Sequence, residues 1–242
     1  MCGIGGIYLS SKGNFNSKKL KALWDNLEDR GTDASGIAYL WNNADKPIIK
    51  KAAKPASEHS QIITNKMGKM ITYALLHTRY TTQGSTRNNS NNHPIIRDSV
   101  IMTHNGVIVN DKKMFNKIGI KPHYQVDTEA LVAGIAHKGI EWTANEAYGS
   151  MSIAWVNKED VTTVNLFTNG RNPLVIAQLE CGSYIWASGY HHLEHYNPIK
   201  YFHARPGIVY KLTQKGIITQ RINNIKGEKW GYPMTYSQRR VF

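Results

Sequence analysis

Residues 1–10 read MCGIGGIYLS. Past the first methionine this is a short run of small and apolar residues, the pattern of a buried strand. Its glycines, Gly3, Gly5 and Gly6, mark close backbone packing. With about eight apolar or small residues and no basic segment before them, the stretch does not read as a secretory signal. Cys2 follows the initiator directly. Trimming of Met1 would leave Cys2 with a free α-amine beside its own thiol. An α-amine with a pKa near 7.7–8.0 can accept a proton at neutral pH, and a thiol near 8.5 needs modest help to become a nucleophile. One residue would then supply nucleophile and base, as in hydrolases with an N-terminal threonine. The competing reading is a small buried residue at the start of a strand.

Outward from this strand, residues 17–29 read as a helix, with Asn16 or Ser17 as cap and Leu20, Leu23, Trp24 and Leu27 as its apolar stripe. GIAYLW (36–41) and KPIIKK (46–51) read as a hairpin across NNAD. TYALLHTR (72–79) reads as a strand that enters a loop, 81–92, of eleven polar residues and one glycine. That loop is exposed or lines a site. SVIMTHNGVIVN (99–110) reads as two strands around His104-Asn105-Gly106, because Asn-Gly between apolar runs is a strong hairpin signal. DTEALVAGIAHKG (127–139) reads as a helix started by Asp127 or Thr128 and stopped by Gly139. Six short β-like runs follow, at 151–156, 163–168, 173–178, 183–188, 207–212 and 216–222. Many strands, with helices mostly in the first 150 residues, predict α+β layers rather than a doubly wound parallel sheet.

The chain has 242 residues, 41% hydrophobic and 19% charged, so it can bury a core and is not disordered through lack of apolar residues. Two cysteines, Cys2 and Cys181, make no disulfide framework and no cysteine-rich zinc site, which suits a reducing, cytoplasmic setting. No apolar run reaches the roughly 18 residues of a membrane helix. Thirty Lys+Arg against seventeen Asp+Glu give +13. Residues 1–194 hold 21 basic and 16 acidic residues, whereas 195–242 hold nine basic residues and only Glu228. Aromatics such as Tyr201, Tyr210, Trp230 and Tyr236 interleave with those cations. The segment reads as a final hairpin packed on the core plus a solvated basic tail, with phosphate or base binding as the rival reading.

The chemistry-bearing residues fall into ordered motifs after Cys2: RGTDASG (30–36), HTRYTTQGS (77–85), NNHP (91–94), HNG (104–106) and DTE (127–129). In order and spacing, over about residues 1–190, they resemble the glutaminase domain of class II glutamine amidotransferases. The resemblance implies an N-terminal-nucleophile fold, a four-layer αββα sandwich of two antiparallel sheets. There Cys2 starts a central strand, and the loops carrying Arg79, Asn105 and Asp127 converge on it. It also implies that Cys2 attacks the side-chain amide of glutamine, releases ammonia and is freed by water.

The resemblance gives Asn105 and Gly106 the role of oxyanion donors, each such donor being worth about 3–4 kcal/mol. Arg79 would take the substrate carboxylate through its guanidinium fork, and Asp127 the substrate amine. Tyr80, Thr82 and His93 fall at further substrate-pocket positions, and Arg30 at a supporting position near the nucleophile. The bland readings are a type I′ turn for Asn105-Gly106 and a plain helix cap for Asp127. Departures from the family pattern are Tyr80 for its usual tryptophan, Gln83 for its usual histidine, and Ala187-Ser188-Gly189 for Ala-Ser-Asp. His59, His123, His191 and His192 have no metal spacing with acids and read as non-ligands, so neither a metal nor a cofactor is expected.

About 50 residues after 190 are too few for a second catalytic domain, and no GxxxxGK[ST] phosphate loop is present. The expectation is one glutaminase-type domain over 1–242, with 195–242 a basic C-terminal extension. The expected substrate is glutamine, and the expected partner a separate ammonia-accepting enzyme subunit docking near the site. Nucleic acid is a weaker partner reading that rests on charge alone, and no membrane contact is expected. Two other functions stay open at this point: an amidase for another linear amide, and a catalytically silent binding or structural protein on the same scaffold.

Overall fold

Strand β1 (Gly3–Tyr8) is buried along its whole length, in a computed structural model that describes residues 1–13, 16–64, 67 and 71–223. It lies inside a seven-stranded antiparallel sheet, between β10 (Tyr184–Ala187) and β4 (Ile71–Arg79). Across β4 lie β2 (Ala34–Trp41) and β3 (Ile48–Ala52), the expected hairpin. β9 (Val175–Gln178) and β11 (Lys200–His203) complete the other side. The second sheet has six strands: β5 (Ile95–Arg97), β6 (Val100–Ile108), β7 (Gly149–Asn157), β8 (Asp160–Thr168), β12 (Ile208–Thr213) and β13 (Gly216–Arg221).

The period-two alternation of strand side chains sorts the core into three layers. Ile4 and Tyr8 of β1 join Leu75, Ile101, Ala154 and Leu166 between the two sheets. Ile7 points the other way, onto Leu20, Leu23, Trp24 and Leu27. Those four side chains are fully buried on α1 (Ser17–Asn26) and the 3-10 turn Leu27–Arg30. Asn16 caps α1 by accepting from the Lys18 N–H at 2.8 Å. A short α2 (Ala56–His59) packs on the same side. On the outer face of the six-stranded sheet lie α3 (Asp111–Ile118) and α4 (Thr128–Glu146), burying Met114, Phe115, Leu131 and Val132. The chain is thus an α+β sandwich with αββα layering.

Two expectations from the sequence are corrected. The stretch 99–110 is no hairpin: Asn105 and Gly106 lie within β6, facing Ser152 and Met151 of β7. Both apolar flanks find partners on β7, so the ladder overrides the Asn-Gly turn signal. The second is the helix predicted to stop at Gly139. Gly139 does leave helical geometry, at φ 81, but a further helical segment follows at once and α4 runs to Glu146. Segments β5, α3 and β11 were not legible in the sequence pattern. Within residues 200–221, β11 and β13 form edge strands of the two sheets and β12 pairs with β13 and β8, whereas the tail cations Lys226, Lys229, Arg239 and Arg240 lie outside the described residues.

The glycines of β1 leave no room for side chains. A Cβ on Gly6 would lie 2.2 Å from Trp186 Cζ2 and 2.3 Å from the Ala74 carbonyl oxygen. Gly6→Ala is therefore expected to cost about 2–3 kcal/mol through overpacking, seen as a lower thermal unfolding midpoint by circular dichroism. An unchanged midpoint would mean that β1 does not pack in this way.

Candidate functional site

The RGTDASG motif holds the start of β1 and the end of β4 together. Arg30 Nε donates to the Cys2 carbonyl at 3.1 Å, which fixes the backbone at the nucleophile position. Gly31 packs so tightly on Arg79 that a Cβ would lie 2.4 Å from its carbonyl carbon. Asp33 accepts from the Thr81 N–H at 2.7 Å, pinning the first turn of the polar loop. Gly36 lies under the His93 carbonyl oxygen, 1.9 Å from where a Cβ would sit.

The Cys2 Sγ lies 3.5 Å from the Tyr80 carbonyl oxygen. Burial pushes its thiol pKa up, against the Tyr80 contact, the amino terminus and the Arg79 charge, while Asp127 adds to the rise. The resting sulfur is therefore a thiol. Arg79 and Asp127 are close enough for their charges to act on it, and Arg79 in turn feels Cys2, Asp33 and Asp127. Cys2, Arg79 and Asp127 thus converge as expected from three separate stretches of chain.

Arg79 is buried, and much of its fork is occupied. Nη1 donates to Asn92 Oδ1 at 2.7 Å, and Nη2 donates to the carbonyls of Gln83 and, at 3.0 Å, Gly84. Three of its five N–H donors are engaged in this way, and among the described residues the other two have no partner. Lys51 Nζ donates to the carbonyls of Asn92 at 2.7 Å and Pro94 at 3.2 Å. Burial, helped by Arg79, lowers its pKa to about 8. These two cations shape the loop 81–94 from beneath. Tyr80 and Thr82 are exposed at its surface. Gln83, at the family's histidine position, accepts from the Asp127 N–H at 3.1 Å, tying the loop to the start of α4.

Asp127 Oδ1 accepts from the Thr128 N–H at 3.0 Å, and Oδ2 from the Ile108 N–H at 2.6 Å. It is a helix cap, and it also fastens α4 to β6. Each carboxylate oxygen keeps a second lone pair for another donor.

Beneath the site lies a buried imidazole cluster. His93 stacks on His77 with ring centroids 4.1 Å apart, and its Nε2 lies 2.9 Å from Thr128 Oγ1. His104 Nδ1 lies 2.9 Å from the same oxygen, and its Nε2 lies 3.2 Å from the Ser150 carbonyl. His77 Nε2 lies 3.0 Å from the His104 carbonyl. Burial drives all three pKa values down, His77 to about 3, so the cluster is neutral.

Asn105 is 1% exposed, and among the described residues neither Oδ1 nor Nδ2 of its amide has a hydrogen-bond partner. Leaving such a buried group unsatisfied costs about 1–3 kcal/mol. Its own carbonyl, by contrast, accepts from Asn172 Nδ2 at 2.9 Å. Gly106 follows at φ 153, where a Cβ would lie 1.9 Å from the Ser150 carbonyl oxygen, so only glycine fits. Residues given no site role from sequence, Lys51, Asn92, Thr128, Ser150 and Asn172, complete the surroundings. The polar interruptions in otherwise apolar strands, at His77-Thr78 and His104-Asn105, were the one available signal.

Residues 77–195 match the family model of a glutamine amidotransferase domain. A glutamine–fructose-6-phosphate aminotransferase (isomerizing) of Wigglesworthia glossinidia brevipalpis is 36% identical over 153 residues, 63% of this chain and 24% of that protein. A 7-cyano-7-deazaguanine synthase of Saccharolobus solfataricus is 25% identical over 236 residues, 90% of this chain and 50% of that one. The chain thus spans about a quarter to a half of these relatives. Among solved structures, the glutamine phosphoribosylpyrophosphate amidotransferase of B. subtilis has the same fold, with a TM-score of 0.75 at 20% identity over 92% of this chain and half of that one. Family match, strand order and motif placement agree: the chain carries a class II glutamine amidotransferase domain of the N-terminal-nucleophile fold.

Proposed function

We propose that this chain hydrolyses the side-chain amide of glutamine through Cys2 and passes the ammonia to an acceptor enzyme on a separate subunit. The observation that carries the reading is the buried Asn105 amide, both ends of which lack a partner among the described residues, next to a glycine that no other residue can replace. A donor held ready before the substrate arrives is what a developing oxyanion requires.

Met1 is 67% exposed and open to trimming. With Met1 gone, the Cys2 α-amine takes the thiol proton and the sulfur attacks the amide carbon. The oxyanion is met by Asn105 Nδ2 and the Gly106 N–H. Collapse expels ammonia, which carries away the proton the amine had taken. Water then cleaves the thioester to give glutamate and the free thiol. Arg79 and Asp127 hold the substrate's α-carboxylate and α-ammonium, with Tyr80 and Thr82 over them and His93 supporting from beneath. Support for an acceptor comes from the relatives, whose names are those of an aminotransferase and a synthase.

Cys2→Ala is expected to abolish glutamate release while leaving the circular dichroism spectrum unchanged, in protein whose intact mass shows Met1 removed. Wild-type kcat/KM should rise about tenfold per pH unit up to the α-amine pKa near 7.7–8.0 and then level off, because only the neutral amine accepts a proton. Full activity in Cys2→Ala would refute the nucleophile.

Asn105→Ala is expected to lower kcat by about 10²–10³ with KM little changed. Because the amide has no partner at rest, the thermal midpoint should hold or rise. A large loss of stability without a kcat effect would make Asn105 structural instead.

The separate acceptor is tested by affinity purification of the full-length chain from its own cells, with and without glutamine. A co-purifying synthase or transferase that consumes the released ammonia is the expected result. Full glutaminase turnover with no such partner would count against it.

A further inference from the structure

Two histidines that take no part in this chemistry meet an aspartate from the other end of the chain. Asp29 lies in the 3-10 turn Leu27–Arg30, and His191 and His192 lie in the turn Tyr190–His192 just after β10. Asp29 Oδ2 is 3.0 Å from His191 Nε2, and Oδ1 is 3.0 Å from His192 Nε2. One ligand atom from each residue falls within 4.8 Å of the other two. The His192 side chain is fully buried, while those of Asp29 and His191 are 50% and 60% exposed, so the cluster opens to water on one side.

Proton placement makes the cluster more than a pair of ion contacts. His192 Nδ1 lies 3.2 Å from the Gly189 carbonyl, and its Nε2 faces the Asp29 carboxylate. Both neighbours are acceptors, yet a neutral imidazole carries one N–H. With that proton on Nδ1, Nε2 turns a lone pair toward the carboxylate's lone pairs. A cation bound to Nε2 and the carboxylate removes the clash, and an Nδ1–H held by a backbone carbonyl is the usual outer contact of a metal-bound histidine.

Room for the two rings comes from Gly189. A Cβ there would lie 2.7 Å from His191 Cε1, 2.9 Å from its Nδ1 and 3.3 Å from His192 Nδ1. The Gly189 backbone is ordinary extended chain (φ −154), so the glycine serves space rather than conformation. It stands where the family's pattern has aspartate, so this chain has exchanged a side chain for a place to seat imidazoles.

We propose that Asp29, His191 and His192 bind one divalent transition-metal ion of the zinc type, with water completing the shell. Two imidazoles and a carboxylate suit such an ion better than calcium or magnesium, which prefer all-oxygen shells. Bonds of about 2.0–2.2 Å would open the 3.0 Å spacings to roughly 3.3 Å in tetrahedral geometry, a small shift for the exposed Asp29 and His191. The ion ties together the turns on either side of β1. Asp29 precedes Arg30, which grips the Cys2 carbonyl, and Gly189 follows Ser188, whose hydroxyl accepts from the Ile4 N–H at 2.9 Å. Its role is to brace the start of β1. It does not depend on the glutaminase reading.

The test uses untagged full-length protein stripped with a chelator and dialysed, then titrated with Zn²⁺ by calorimetry and with Co²⁺ by visible absorption. Wild type should take up one equivalent of Zn²⁺, give the intense Co²⁺ spectrum of a low-coordinate site, and unfold at higher temperature when loaded. Asp29→Asn combined with His191→Gln should weaken binding at least 100-fold with an unchanged circular dichroism spectrum. Gly189→Ala should weaken it at least tenfold. His137→Gln, which removes an exposed histidine paired with Asp98 elsewhere, should change nothing. No uptake by wild type, or equal uptake by the double variant, would overturn the site and leave an ion-pair cluster only.

Discussion

The hydrogen bond between His77 Nε2 and the His104 carbonyl joins the two sheets at their polar end, and the site follows from it. The bond crosses from β4 to β6 at 3.0 Å in a fully buried place. A carbonyl only accepts, so Nε2 of His77 carries the proton. His104 Nε2 likewise donates to the Ser150 carbonyl, which leaves its Nδ1 to accept the Thr128 hydroxyl proton. Thr128 Oγ1 then accepts from His93 Nε2. Every ring has one defined tautomer, and none needs a charge. This fixed network sets Asn105, the residue after His104, at a constant height against β1 and β4.

The space between the sheets is divided along its length. Away from the site it is filled by Ile4, Tyr8, Tyr73, Leu75, Leu166 and Trp186, a close contact of large side chains. At the other end polar groups are buried instead; among the described residues the Asn105 amide has neither side-chain atom partnered, and His77 and His93 each leave Nδ1 without a partner. Apolar burial drives the packing of the sheets, and the rigid contact it produces can hold one unsatisfied amide in place. A loose core would let that amide turn and find a backbone partner.

The layers were legible in the sequence because strand alternation and the stripe at Leu20, Leu23, Trp24 and Leu27 are local patterns. Motif order carried the site, since Arg30, Arg79, Asn105 and Asp127 each fall in one of the ordered motifs RGTDASG, HTRYTTQGS, HNG and DTE. The Asn105-Gly106 turn was misread because hairpin propensity is local, whereas pairing with β7 depends on residues more than 40 positions away. Lys51 and Asn172 were invisible for the same reason: a lone lysine or asparagine gains meaning only from the carbonyls it reaches. The occupied fork of Arg79 could not be foreseen either, because its partners in loop 83–92 follow no periodic pattern.

The proposed reaction needs a base for the Cys2 thiol. Burial holds the Cys2 sulfur as a thiol, so something must remove its proton. The three nearby imidazoles are committed: their pKa values are depressed, and His104, the one closest in sequence to Asn105, has both nitrogens engaged. Asp127 has both carboxylate oxygens engaged by backbone N–H groups. Arg79 cannot accept a proton. The proposed reaction therefore draws on the main-chain amine that removal of Met1 would leave on Cys2. An amide nitrogen at Cys2 would have no basic lone pair, so the proposed reaction requires the removal of Met1.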